Sequence, residues 1–139
     1  MPAHVTVLVP FKPWPSVEPD EIGRLKRLFR EFGPISLGFS AIRRFPNVLW
    51  LAPEPRGVVD QLTQAVHAAF PGYPPYEGAF SDPTPHLTVA IGGDAILDPI
   101  ETLVLQRLTQ PIQSTITDCA VFALTGEGWR ERASFRLGD

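Results

Sequence analysis

Sixteen prolines and eleven glycines cut this chain of 139 residues into pieces too short for long helices or long strands. A proline inside a helix removes a backbone hydrogen bond and clashes with the preceding turn, and inside a central strand it removes a ladder bond. Here the prolines fall mostly between stretches of regular apolar pattern, so they read as stiff loops joining short elements. The pieces that remain are of two kinds. Three carry an apolar stripe at helical spacing, and the others alternate with period two.

The first helix is expected over about residues 19–32, with Pro19 at its first position, Asp20 and Glu21 near the positive end of the helix dipole, and Ile22, Leu25, Leu28, Phe29 and Phe32 buried. The second covers about 56–70, burying Val58, Val59, Leu62, Val66, Ala69 and Phe70 and leaving His67 toward solvent. The third covers about 98–109, with Asp98 as cap, Pro99 at the first helical position, Glu101 completing a capping box, and Ile100, Leu103, Val104 and Leu108 buried.

Strands are expected over 3–10, 35–45, 48–51 and 86–91, followed by a terminal hairpin over 113–124 and 129–137. In the second strand Ile35, Leu37, Phe39 and Ala41 share a face. In the last strand Trp129, Ala133, Phe135 and Leu137 point inward, opposite Arg130, Arg132, Ser134 and Arg136. These arginines suit an ordinary solvated face, or Arg130 reaches a cleft and offsets phosphate charge. The order β-α-β-β-α-β-α-β-β, with every helix amphipathic, favours an α+β fold of antiparallel sheets with helices on one side. One domain spans 1–139, built as two lobes around a groove. No Gly-x-Gly-x-x-Gly signature supports a doubly wound dinucleotide fold.

A net charge of −3 argues against long duplex nucleic acid as a partner and leaves a small nucleotide or an RNA end in a locally basic cleft. The single cysteine, Cys119, excludes an internal disulfide, and no apolar run approaches the length needed to cross a bilayer. A cytoplasmic protein without membrane association is the expectation.

Two strands carry the chemistry. His4-Val5-Thr6-Val7-Leu8-Val9 and Pro85-His86-Leu87-Thr88-Val89-Ala90-Ile91 each set a histidine and a threonine on one strand face, with Val5, Val7, Val9 and Leu87, Val89, Ile91 as the buried sets. Two histidines flanking a phosphodiester suffice for general acid–base cleavage, because an imidazole's ordinary pKa of about 6.5 lets one accept a proton while the other donates. Thr6 and Thr88 would hold the non-bridging oxygens. No His-Glu-x-x-His or cysteine cluster calls for a metal, and a zinc site would have to recruit carboxylates such as Asp82 or Asp94. Neither cofactor nor metal is expected. The loop over 71–85 holds Tyr73 and Tyr76, which either pin it to the body or reach the site from it.

The paired motifs, with Arg44-Phe45-Pro46-Asn47-Val48-Leu49-Trp50-Leu51-Ala52-Pro53-Glu54 between them, resemble the two-histidine phosphoesterase superfamily over almost the whole chain, and most closely small bacterial proteins of the 2′-5′ RNA ligase family. The resemblance implies a bilobal, pseudo-symmetric fold, with antiparallel sheets facing a central cleft and helices outside. His4 and His86 would be the catalytic pair, Thr6 and Thr88 the phosphate ligands, and Phe11, Tyr73 and Tyr76 aromatics that stack on a base. It implies hydrolysis of 2′,3′-cyclic nucleotides or RNA ends, or ligation through 2′,5′ linkages. A protein that binds such ends without turnover is the alternative. Such proteins usually carry a strand and a helix before the first motif, where this sequence has Met1-Pro2-Ala3, so the first lobe is expected to lack an element and to expose a sheet edge, which a homodimer, an unusually short first lobe or the Trp14 loop folding over it would protect.

Overall fold

The computed structural model describes residues 1–138. Its elements are α1 (Pro19–Arg30), β1 (Ile35–Phe45), β2 (Val48–Glu54), α2 (Gly57–Ala69), β3 (Leu87–Ile91), α3 (Asp94–Arg107), β4 (Ile112–Ile116), β5 (Asp118–Thr125) and β6 (Gly128–Arg136), with short 3-10 turns at Trp14–Ser16 and Pro75–Gly78. Two antiparallel sheets result, one in the order β3-β2-β1-β4 and the other a β5-β6 hairpin. The chain is α+β, as its pattern implies.

Side-chain alternation builds the core. Ile35, Leu37 and Phe39 point inward from β1, Leu51 from β2, Leu25 and Phe29 from α1, Val59, Leu62 and Val66 from α2, and Phe135 from β6. The Phe29 and Phe135 rings lie 5.5 Å apart, which ties the hairpin to the helical layer. Helix α1 starts at Pro19, with Glu21 accepting the Glu18 N–H at 2.9 Å while also holding Lys12 Nζ at 2.8 and 2.9 Å. That ammonium donates to Glu21 and keeps its carboxyl below the usual carboxylate range, and Glu21 in turn raises the Lys12 pKa.

Bulges explain where periodicity misleads. The β1–β2 register shifts between Phe39 and Ala41, so Ser40 is an extra residue. Ala41 therefore pairs with Ala52 on the face away from the core, and Ile42, paired with Leu51, turns inward instead. A second shift between Leu49 and Trp50 loops out Val89 of β3. The buried set expected there is corrected accordingly: Leu87 packs on the core, but Val89 is 37% and Ile91 72% exposed. A third shift, between Val121 and Phe122, leaves Arg132 of β6 unpaired, and Trp129 is exposed rather than inward.

Three further expectations change. Residues 3–10 do not form a strand; they carry a single antiparallel bridge, Val5 to Leu87. Leu8 packs on the core together with Val5 and Val7, so strict alternation does not hold along this segment. Helix α3 begins at Asp94, with Gly93 as its cap and Pro99 in its interior. Asp98 and Glu101 are not capping groups, because Arg44 engages them: Nη2 donates to Asp98 and to Glu101 at 2.6 Å each, Nε to Glu101 at 2.9 Å, and Nη1 to Asp94 at 3.2 Å. Leu97 is the fully buried residue of α3, whereas Leu103 is exposed. Finally, β4 pairs with β1 and not with the hairpin, since the chain leaves the first sheet at Thr117.

Candidate active site

Sheet register decides which side chains meet. The Val5–Leu87 bridge is antiparallel, so continuing its register by one residue each way sets His4 opposite Thr88 and Thr6 opposite His86. Val5 and Leu87 both pack on the core, and along the β3 side of the bridge this turns His86 and Thr88 to the other face. Leu87 pairs with Leu51, and Thr88 with Trp50. Thus Thr88 and Trp50 share the face that carries His86.

Both imidazoles are oriented in the same way. Nδ1 of His4 lies 2.9 Å from the Pro2 carbonyl, and Nδ1 of His86 lies 2.9 Å from the Thr84 carbonyl. A carbonyl oxygen only accepts, so each Nδ1 carries hydrogen and each Nε2 is left for chemistry. Surroundings differ. The His86 ring is boxed by Phe45, edge-on at 5.2 Å, and Trp50, at 5.9 Å, while Phe45 and Trp50 stack on each other at 4.6 Å. His4 is exposed.

The N-terminal segment is held by contacts the sequence did not announce. Thr63 Oγ1 of α2 donates to the Val7 carbonyl at 2.6 Å, and the Tyr76 N–H donates to the Val9 carbonyl at 2.6 Å. Arg56 binds Asp60, and reaches Asp82 at 3.2 Å and the Pro83 carbonyl at 3.3 Å, fastening the loop that delivers His86. Asp82 and Asp94, the carboxylates a zinc site would have needed, are therefore paired with Arg56 and Arg44. Among the described residues no group of three or more His, Cys, Asp or Glu is disposed to hold a metal ion.

The other expected ligand contacts are distributed unevenly. Phe11 packs on the core, its ring 5.1 Å from Phe70 and 6.0 Å from Tyr73, so both aromatics pin loops to the end of α2. Tyr76 stands closer to the motifs: with Thr6, Thr63 and Thr84 it lines a niche of about 10 Å³, and burial raises its pKa. Arg130 makes its contact with Glu127 across the hairpin turn, 3.6 Å away, on the face of β6 opposite Trp129 and Glu131. His67 is half-buried in the last turn of α2.

A larger cavity of about 1000 Å³ runs between the N-terminal segment and β5 and reaches His4 and Thr6, but neither His86 nor Thr88 lines it. Its walls combine apolar core residues such as Leu25, Phe29 and Leu37 with polar ones such as Lys12, Asp118, Glu131 and Ser134. Cys119 lies in its wall, where burial first and the neighbouring Asp118 second raise the thiol pKa to about 11.

The family described as the 2′-5′ RNA ligase superfamily matches residues 1–127, a span that holds both His-x-Thr motifs and every element through β5. The chain belongs to that superfamily. No curated protein matches it closely enough to add a more specific likeness. As a 2′-5′ RNA ligase superfamily member it keeps its two motifs side by side through one bridge. No helix among the described residues is long and apolar enough to cross a membrane.

Proposed function

We propose that this superfamily member is a metal-independent phosphoesterase that opens a 2′,3′-cyclic phosphodiester on a nucleotide or RNA end, with His4 and His86 as acid and base. The bridge between Val5 and Leu87 is the observation that carries the reading, because it brings the two His-x-Thr stretches side by side in antiparallel register. Family membership supports phosphoesterase chemistry in general, and the residues of the site offer no metal-ligand cluster.

In the reaction, Nε2 of one histidine accepts a proton from water as the water oxygen bonds to phosphorus. The phosphorus–oxygen bond to one ribose oxygen breaks, and that oxygen takes the proton from Nε2–H of the other, protonated histidine. Thr6 and Thr88 donate to the non-bridging oxygens, where charge increases. The Nδ1 contacts with Pro2 and Thr84 keep both rings presenting Nε2 throughout.

His4→Ala and His86→Ala are each expected to reduce hydrolysis of a 2′,3′-cyclic nucleotide by about 10²–10⁴-fold while circular dichroism stays native. Full activity in both variants would refute the assignment. A second reading, ligand binding without turnover, draws on the exposure of His4. Binding of a 2′-phosphorylated nucleotide with no product over long incubation would favour it.

A further inference from the structure

On the face that carries His86, the residues paired across the sheet form a row. Arg43 of β1 pairs with Trp50 of β2, Trp50 pairs with Thr88 of β3, and the Val5–Leu87 bridge extends the row to His4. Directly paired residues share a face, so the side chains of Arg43, Trp50 and Thr88 leave the sheet on the same side, with the His4 backbone next beyond Thr88. Strands lie about 4.8 Å apart, which puts the Arg43 backbone roughly 10 Å from that of Thr88.

Arg43 and its neighbour Arg44 have opposite fates. Arg44 turns to the helix side, where three carboxylates hold it. Arg43 is exposed and donates only to the Ile42 carbonyl beside it, with no carboxylate partner among the described residues. A guanidinium left without a counter-charge, on a stretch of sheet whose neighbouring residues Ala41, Phe45, Trp50 and Ala52 are uncharged, is suited to an oxyanion of a ligand. Between Arg43 and Thr88 lies Trp50, 7% exposed, whose indole N–H is buried without an acceptor. Its burial under Phe45 and His86 makes it a rigid floor rather than a stacking platform. Beside it, Ala41 and Ala52 pair on the same face and leave the surface low.

We infer that Arg43 binds a second phosphate of the substrate, 5′ to the ribose whose cyclic phosphate lies at the histidine pair. This rests on the reading of the site given above and narrows it: the preferred ligand is doubly charged, an RNA end of two or more nucleotides or a 5′-phosphorylated cyclic nucleotide. A cyclic mononucleotide with a free 5′-hydroxyl fills the histidine site alone. Arg43 acts in specificity and contributes no proton.

Three substrates test this: a 2′,3′-cyclic mononucleotide with a 5′-hydroxyl, the same compound with a 5′-phosphate, and a dinucleotide with a cyclic end. The native protein is expected to prefer the phosphate-bearing pair by roughly tenfold or more in kcat/KM, as a charged hydrogen bond allows. In Arg43→Gln that ratio falls toward one, largely through KM, and Arg43→Lys restores part of it as a point charge. Preference for the dinucleotide alone identifies an RNA end, and equal preference identifies the 5′-phosphate itself. An unchanged ratio in Arg43→Gln overturns the inference. If no substrate turns over, hydrolysis is refuted but Arg43 is still tested, by binding of a nucleoside 3′,5′-bisphosphate against its 3′-monophosphate. Tighter binding of the bisphosphate by the native protein, lost in Arg43→Gln with a salt slope smaller by about one, supports it, and equal affinities sink it.

Discussion

At the scale of the residue, orientation matters more than identity. Each histidine gives its Nδ1–H to the carbonyl two residues earlier, Pro2 or Thr84, which settles the tautomer of the neutral ring and directs Nε2 outward. Cys119 is tuned differently. Its thiol pKa is raised from 9.0 to about 11, so the folded state holds its proton where the unfolded chain has begun to lose it. Stability from this group is complete below pH 9 and is lost as pH rises toward 11. The native protein is expected to lose about 2 kcal/mol more than Cys119→Ala over that interval, as read by urea unfolding. Equal losses would show that the thiol is not protected. For the same reason, alkylation by iodoacetamide at pH 8 should be much slower than for a free thiol.

At the scale of the element, the strongest local commitment is the joint between α3 and the first sheet. Leu49 and Leu97 are completely buried, and Arg44 crosses to the α3 carboxylates beside them. Leu49→Ala is expected to cost about 2–5 kcal/mol in urea unfolding, and Leu103→Ala, at an exposed position of α3, less than about 1 kcal/mol. The contrast also shows where sequence pattern reaches its limit. Alternation located β1, β2 and β3 but not the first His-x-Thr stretch, which forms a single bridge, and the 3.6 period located α1 and α2. What it missed were one-residue insertions in the ladders at Ser40, Val89 and Arg132, each of which reverses the faces beyond it. Arg43 escaped notice for that reason, since the face it occupies depends on the Ser40 bulge. The α3 start escaped because Asp98-Pro99 has the form of a helix opening, while the four residues before it, including the buried Leu97, extend the helix backward.

At the scale of the whole molecule, the two halves of the proposed site have unequal foundations. His86 precedes a strand paired to β2 and is enclosed by two aromatic rings. His4 lies three residues from the start of the sequence, in a segment joined to β3 at one bridge and to α2 and the Tyr76 loop by one hydrogen bond each. Opening that segment takes Val5, Val7 and Leu8 off the core but breaks no ladder between β1–β6 and no helix, so it is expected to cost less than global unfolding. The reaction rate would then follow how often the segment is seated, and heat would silence the enzyme before unfolding it. The midpoint for loss of activity is expected several degrees below the midpoint read by far-ultraviolet circular dichroism, with a bound anion drawing the two together. Coincident midpoints would mean that the segment melts only with the rest. Hydrogen exchange at Val5, Val7 and Val9 reports the same equilibrium without substrate, and it makes the first ten residues a timing device: the interval between one seating and the next sets how long a bound phosphodiester has to react.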